Sequence, residues 1–220
     1  MQGKLTSNQL KLLALLTMTV DHIGVQLLPQ YPLLRIIGRL AFPIYAYMIA
    51  EGCAHTRNRR KYLLQMSGLA LLCQLVYFFA IGSLFQCILV TFTLSILTIY
   101  AIDSETSWHA PAALLAVIFL TVILPQLLPG TDYAVDYGLL GVLLPAAVYL
   151  GKTRKQKLLL SVILLSLLAL DFGGIQWYGL LALVPLALYS GQRGKWKMKW
   201  LFYLYYPLHL VAIYSISLLL

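Results

Sequence analysis

Residues 109–128 read HAPAALLAVIFLTVILPQLL, a stretch without a single Asp, Glu, Lys or Arg. A helix of roughly 20 such residues is about 30 Å long, which matches the hydrocarbon core of a bilayer. Runs of this kind recur, because hydrophobic residues make up 61% and charged residues only 10% of the 220 residues. A soluble domain carries roughly 25% charged residues. The sequence therefore predicts an integral membrane protein.

Apolar runs separated by short polar breaks predict about nine transmembrane helices in a single domain, residues 1–220. No run shows the period-2 alternation of a membrane β-strand, so the predicted class is all-α, a polytopic helical bundle. Two runs, 136–150 and 176–190, are short enough to be re-entrant. The predicted spans are 8–28, 34–55, 62–81, 84–101, 109–128, 136–150, 158–172, 176–190 and 200–220.

The basic residues predict the orientation of the bundle. They are concentrated in four segments at or between the ends of spans, at 4–11, 56–62, 152–157 and 193–199. Cytoplasmic loops of membrane proteins are enriched in Lys and Arg, so this side is predicted to be cytoplasmic, with the N-terminus inside and the C-terminus outside. Because topology accounts for the net charge of +9, nucleic acid is not expected as a partner.

Ionisable residues inside a span are costly, and the first two spans hold several of them, including Asp21, His22 and Arg39. In an antiparallel hairpin these groups share a depth, roughly 20 Å from the inner end of the first helix at 1.5 Å per residue. Asp21 and Arg39 are predicted to pair, which leaves His22 beside a carboxylate that can orient it as a general base. The alternative is an ion pair that only holds two helices together.

A second polar group is predicted at the inner end of the second span. Glu51 and His55 lie one helical turn apart and are followed by Arg57 and Arg60 in the run TRNRRKY. Arginine forks match phosphate oxygens, so these four residues are candidates for binding a phosphorylated cofactor. Contact of the basic run with lipid headgroups is the alternative.

Three further polar side chains are candidates for the wall of a substrate cavity: Gln74, Tyr206 and His209. The last two lie beside Pro207, which is expected to bend its helix. An interhelical hydrogen bond is the alternative role for Gln74 or His209. The four histidines of the chain show no ligand spacing, so no metal site is predicted.

Several strings taken together resemble the TraX family. They are TMTVDHIG at 17–24, IGRLAFPIYAYMIAEGCAHTRNRRKYL at 37–63, DYGLLGVLL at 136–144, SGQRG at 190–194 and LFYLYYPLHL at 201–210. The resemblance extends over the whole chain. It implies a multi-pass protein of the bacterial inner membrane, similar to an enzyme that acetylates the N-terminal amine of a conjugative pilin and to other transmembrane acyltransferases.

The resemblance also implies a mechanism. Acetyl-CoA would be the acyl donor, with its phosphates at Arg57 and Arg60, and the acceptor would be a protein N-terminus, a glycan or a lipid. His22 would deprotonate the acceptor, and Asp21 would orient His22. Arg39 would pair with Asp21 or stabilise the thioester oxyanion. The rival interpretations are a transporter or permease that uses the same ionisable residues, and a structural membrane partner without turnover.

Overall fold

The computed structural model of the protein describes residues 3–195 and 198–219. Helix dominates this part of the chain, and its only β-type pairings are isolated bridges, which confirms the predicted all-α class. The helices are α1 (Ser7–Gln26), α2 (Pro32–Gly38), α3 (Ala41–His55), α4 (Arg59–Ile81), α5 (Ile88–Ile102), α6 (His109–Ile118), α7 (Leu124–Leu127), α8 (Gly138–Leu150), α9 (Arg154–Phe172), α10 (Leu183–Ala187) and α11 (Lys199–Ser217). A π-helical turn, Phe119–Ile123, joins α6 to α7, and a 3-10 segment, Gly174–Ala182, precedes α10.

Local sequence signals set several helix ends. Thr6 and Gln9 form a reciprocal capping box at the start of α1, in which each side chain accepts a hydrogen bond from the backbone N–H of the other. Asn58 caps α4 by accepting from the Lys61 N–H at 2.8 Å. Gly82 ends α4 in the left-handed conformation with φ 66°, which a glycine adopts without steric cost. These caps fix where the polar segments between helices begin.

Within residues 3–195 and 198–219, three helical stretches are long and apolar enough to cross a membrane: Pro32–His55, Arg59–Phe79 and His109–Leu127. The last two have few buried residues, about 17% and 6% of their apolar core, so their apolar side chains face outward, as lipid-facing helices do. The predicted count of nine transmembrane helices is not supported by helix length within the described residues. With 13 residues, α8 is about 20 Å long, which is shorter than a hydrocarbon core of about 30 Å.

The chain divides into two compact units. Unit 1 contains residues up to 48 and from 161 onward. Its central helix is α1, which packs against α2 and α11, while α2 also packs against the 3-10 segment. The backbone of Leu5 donates to Leu188 at 2.8 Å and accepts from Ser190 at 2.7 Å, so the start of the chain is tied to the segment after α10.

Unit 2 contains residues 49–160 and is built around α5. This helix packs against α4, α6 and α8. The hydroxyl of Ser95, which is fully buried, donates to the Val142 carbonyl at 2.9 Å and joins α5 to α8. A satisfied polar contact of this kind is a common way to connect membrane helices.

The two loops at one end of unit 2 are linked through Asp132. Its carboxylate accepts from the Ser83 hydroxyl at 2.6 Å and from the Leu84 N–H at 2.9 Å. These two donors stabilise the charged form and hold the pKa of Asp132 below its usual range. The Gln86 N–H also donates to the Ala134 carbonyl at 2.8 Å. The loops before α5 and before α8 are therefore ordered against each other.

Candidate functional site

Two arginines converge on Asp21 in unit 1. The Arg39 Nη2 atom lies 2.8 Å from both carboxylate oxygens, and the Arg35 Nη1 atom lies 2.6 Å from Oδ2. The side chains of Asp21 and Arg39 are only 13% and 8% exposed, against 31% for Arg35. The predicted pair of Asp21 with Arg39 is therefore present. The second arginine, Arg35, is not among the predicted site residues.

Close packing of α1 against α2 brings these charges together. Arg35 and Arg39 are one turn apart, so they project from the same face toward Asp21. Two glycines allow the approach. A Cβ at Gly24 would lie 2.8 Å from the Cβ of Leu34, and a Cβ at Gly38 would overlap the carboxylate of Asp21. The ion cluster depends on the absence of side chains at these two positions.

His22 is held by another histidine. Its Nδ1 atom lies 2.8 Å from Nε2 of His209, and the two rings are nearly parallel, with centroids 5.0 Å apart and planes 23° apart. The oxygens of Asp21 are bound to the arginines instead. Consecutive residues of a helix do not face each other, which explains why Asp21 and His22 have different partners. The prediction that Asp21 orients His22 is corrected accordingly: the orienting group is His209.

His209 is itself fixed on α11. Its Nδ1 atom lies 2.9 Å from the Tyr205 carbonyl oxygen one turn earlier, and its side chain is buried. The Tyr205 ring lies 5.1 Å away at 11°, and the Tyr206 ring meets it edge-on at 5.6 Å. Of the three predicted cavity residues, the structure thus brings Tyr206 and His209 into contact with each other. The helix continues through Pro207.

Sequence reasoning missed Tyr205 and Thr19. The Tyr205 hydroxyl lies 2.8 Å from Oγ1 of Thr19, which joins α11 to α1 one turn before His22. The 205/209 spacing of one helical turn was the available signal, because it places the tyrosine and the histidine on one face. We call Thr19, His22, Tyr205 and His209 the histidine cluster.

The third predicted cavity residue, Gln74, is used locally in unit 2. Its amide donates to the Phe85 carbonyl at 2.8 Å and accepts from the Cys87 N–H at 3.2 Å. Both ends of the side chain therefore satisfy the backbone of the loop that leads into α5. Gln74 thus forms hydrogen bonds, as the alternative to a cavity role predicted, but to a loop backbone rather than to another helix.

Glu51 and His55 are in contact at the end of α3. The His55 Nδ1 atom lies 2.9 Å from the Glu51 carbonyl oxygen, while its side chain is 70% exposed. The buried carboxylate of Glu51 forms an ion pair with Lys157 of α9. A carboxylate neutralised in this way, and repelled by phosphate, is not suited to bind a phosphorylated cofactor directly.

The basic residues before and within α4 have different environments. Arg59 pairs with Asp103, which also accepts from the Tyr149 hydroxyl, so this arginine joins the ends of α4, α5 and α8. Arg60 and Lys61 are exposed instead. They line an open groove of about 400 Å³ together with Asn58, Leu64 and Gln65.

Arg57 is also exposed. It precedes the groove residue Asn58 in the sequence but does not itself line the groove. Lys197, a cation of the 193–199 segment, lies outside the described residues. Within the described residues no three His, Cys, Asp or Glu side chains are grouped as a metal site requires.

The long apolar helices define the chain as a helical membrane protein. The chain matches the family model described as TraX protein over residues 6–217, and it belongs to that family.

Two relatives match shorter parts of the chain. A probable fimbrial assembly protein, FimC of serogroup H1, from Dichelobacter nodosus is 39% identical over 59 residues, which are 25% of this chain and 24% of the relative. An uncharacterized protein of Rickettsia prowazekii (strain Madrid E) is 50% identical over 38 residues, 17% of this chain and 15% of the relative. The aligned part of the chain thus covers less than a quarter of the length of each of these relatives. No solved structure matches the chain.

Proposed function

We propose that the protein is a membrane-embedded acyltransferase that moves an acyl group, acetyl in the first place, from acyl-CoA to an amine or hydroxyl. Membership of the TraX family supports this proposal. The observation that carries it is the imidazole pair of His22 and His209 inside a chain of membrane helices. A buried, hydrogen-bonded imidazole is the group most often used as a general base, and burying one in a membrane protein indicates a functional role.

His22 is the base in this proposal. An amine or hydroxyl attacks a thioester carbonyl efficiently only if its proton is removed as the new bond forms, and His22 supplies that function. The proton then passes to the sulfur of CoA as the thiolate leaves. The side chain of His22 is half-buried, which leaves part of the imidazole accessible, whereas His209 is buried behind it.

Asp21 and its arginines support the base in this proposal without reacting. Arg39 is held by two hydrogen bonds to the Asp21 carboxylate, and this favours the pairing role over direct stabilisation of the oxyanion. The ion cluster holds α1 against α2. Because His22 lies on α1, this contact also fixes where its side chain lies relative to α2. Asp21 and Arg39 are therefore positioning residues.

The basic groove of unit 2 is proposed to bind the phosphates of CoA. Arg60 and Lys61 contribute two exposed cations to its lining, and Arg57 adds a third cation next to Asn58 in the chain. Guanidinium and phosphate groups form strong charge-assisted hydrogen bonds. Arg59 and Glu51 are not included, because both are engaged in ion pairs within unit 2.

The proposed acceptor is the N-terminal amine of a protein subunit, such as a pilin. The name of the Dichelobacter relative as a probable fimbrial assembly protein supports this choice. The proposed location is the bacterial inner membrane, with multi-pass insertion and the N-terminus in the cytoplasm. The positive segments between helices support this orientation.

The experiment that tests the proposal follows an isotopic label. Membranes containing the protein are incubated with acetyl-CoA labelled in the acetyl group, and the label is then sought in protein, glycan and lipid fractions. Label in a protein N-terminus is expected, and it should depend on the expressed chain. Label in glycan or lipid would retain acyl transfer but reject the proposed acceptor. No transfer to any fraction, with CoA bound, would reject the enzyme and favour a transporter.

A further inference from the structure

The histidine cluster contains a chain of hydrogen bonds whose direction is fixed at one end. A backbone carbonyl only accepts hydrogen bonds, so the Nδ1 atom of His209, 2.9 Å from the Tyr205 oxygen, must carry the hydrogen. A neutral imidazole has one N–H, so Nε2 of His209 has a lone pair instead. The Nδ1 atom of His22, 2.8 Å from that lone pair, must then be the donor.

From this geometry we infer that His209 is a positioning residue, which holds His22 as the Nδ1–H tautomer and leaves Nε2 of His22 as the basic nitrogen. The ring nitrogen that is protonated is set by the hydrogen bond that the other nitrogen makes. The isolated imidazole side chain in water favours the opposite tautomer, with the hydrogen on Nε2. The role of this tautomer in turnover rests on the proposed function, whereas the tautomer itself does not.

The partner helix is anchored so that this contact is maintained. Thr19 donates its hydroxyl hydrogen to the Leu15 carbonyl at 2.9 Å, so the hydrogen between Thr19 and Tyr205 comes from the tyrosine. Thr19 and His22 are one turn apart on α1, as Tyr205 and His209 are on α11. Two parallel contacts therefore join the same turns of the two helices.

The remaining nitrogen of His22 is available to a ligand. Its Nε2 atom makes no hydrogen bond to any residue within 3–195 and 198–219, and its side chain is half-buried. In the reaction, the acceptor nitrogen or oxygen bonds to the thioester carbon while its proton moves to Nε2. The carbon–sulfur bond then breaks, and the same proton passes from Nε2 to the departing sulfur, which yields the free thiol of CoA.

Two substitutions at position 209 distinguish the hydrogen bond that His209 accepts from His22 from the packing of its side chain. In His209→Gln the side-chain amide reaches the place of Nε2, where its oxygen accepts from His22. In His209→Asn the shorter amide ends near the place of Nδ1, where it still bonds to the Tyr205 carbonyl but does not reach His22. The two variants thus differ chiefly in the hydrogen bond to His22.

The test is nitrogen-15 NMR of histidine-labelled protein in detergent micelles, with the signals of His22 assigned by their loss in His22→Gln. The wild type and His209→Gln are expected to show a protonated Nδ1 and a bare Nε2 at His22, and His209→Asn to show a shift toward Nε2–H. Wild-type His22 protonated on Nε2, or one tautomer in all three proteins, would overturn the inference. The wild-type spectrum decides even if a variant does not fold.

The NMR result needs no acyl donor, so it is independent of whether the protein is an acyltransferase. If transfer is established, His209→Asn should lower kcat about 100-fold with little change in KM for acetyl-CoA, and His209→Gln should restore most of that loss. Equal kcat values for the two variants would contradict the positioning role. The expected tautomers without any acyl transfer would reject the proposed function and leave the placement of the proton intact.

Discussion

Gly38 lies directly against the carboxylate of Asp21, so that a Cβ atom at position 38 would overlap Oδ1. The glycine is buried at the end of α2, where the helix meets α1. Arg35 and Arg39 flank it and bind the same carboxylate. Because Gly38 has no side chain, the Asp21 carboxylate can occupy this space and reach both arginines.

Gly38→Ala is expected to destabilise the protein by about 1–3 kcal/mol, because the added methyl group displaces Asp21 from its arginines. Helix propensity alone predicts the opposite sign, a gain of about 1 kcal/mol for alanine over glycine. The measurement is thermal unfolding in detergent. Gly68→Ala in α4 is the matched control, since a Cβ there meets nothing within 4 Å. Equal effects of the two substitutions would contradict the role given to Gly38.

Asp21→Asn is expected to cost about 3–5 kcal/mol, because it leaves buried Arg39 without its counter-ion. The double variant Asp21→Asn with Arg39→Gln should recover part of that loss, since it removes the more buried of the two cations. Arg35 stays charged in both, and its partial exposure limits the remaining penalty. Unfolding measurements on the two single variants and the double variant give the coupling between the residues. Strictly additive losses would show that the pair does not stabilise the fold.

The helical class and the pairing of Asp21 with Arg39 could be predicted from the sequence. The pairing follows from the depth of the two residues in the membrane. Only a short loop separates the first two predicted spans, so these spans must form a hairpin. Arg35 was missed because it lies at the very start of the predicted span 34–55 and was not counted as an intramembrane residue, whereas α2 begins at Pro32 and places Arg35 one turn before Arg39.

The contact of His22 with His209 could not be predicted in this way. The residues are 187 positions apart, and their contact depends on which helices pack together rather than on any local pattern. The predicted span 84–101 was also too long at its start. α5 begins at Ile88, and the preceding backbone is satisfied by Gln74, whose amide no hydropathy pattern reveals.

Arg57→Gln combined with Arg60→Gln is expected to weaken CoA binding by at least about 100-fold, because each of the two lost charge-assisted hydrogen bonds contributes roughly 1.5–3 kcal/mol. Titration calorimetry in detergent measures the affinity. Lys155→Gln is the control, since Lys155 is an exposed cation of the same unit outside the groove. Unchanged affinity in the folded double variant would reassign the two arginines to lipid headgroups.

Reporter fusions test the proposed topology. A reporter fused after Leu220 should be active only outside the cytoplasm, and one inserted at position 155 only inside, because the 152–157 segment is strongly basic. Alkaline phosphatase and a cytoplasmic fluorescent protein give opposite readouts at each site. A cytoplasmic C-terminus would mean that one or more of the shorter helices does not cross the membrane.

The rate of label transfer from acetyl-CoA by the wild type and by His22→Ala tests the central claim most directly. General-base catalysis contributes about 100-fold or more to a rate, so the variant should lose at least that much. Its affinity for CoA should stay close to that of the wild type, and its free energy of unfolding should fall only by the loss of one hydrogen bond to His209, about 1–3 kcal/mol. Transfer by folded His22→Ala at a rate near that of the wild type would contradict the account.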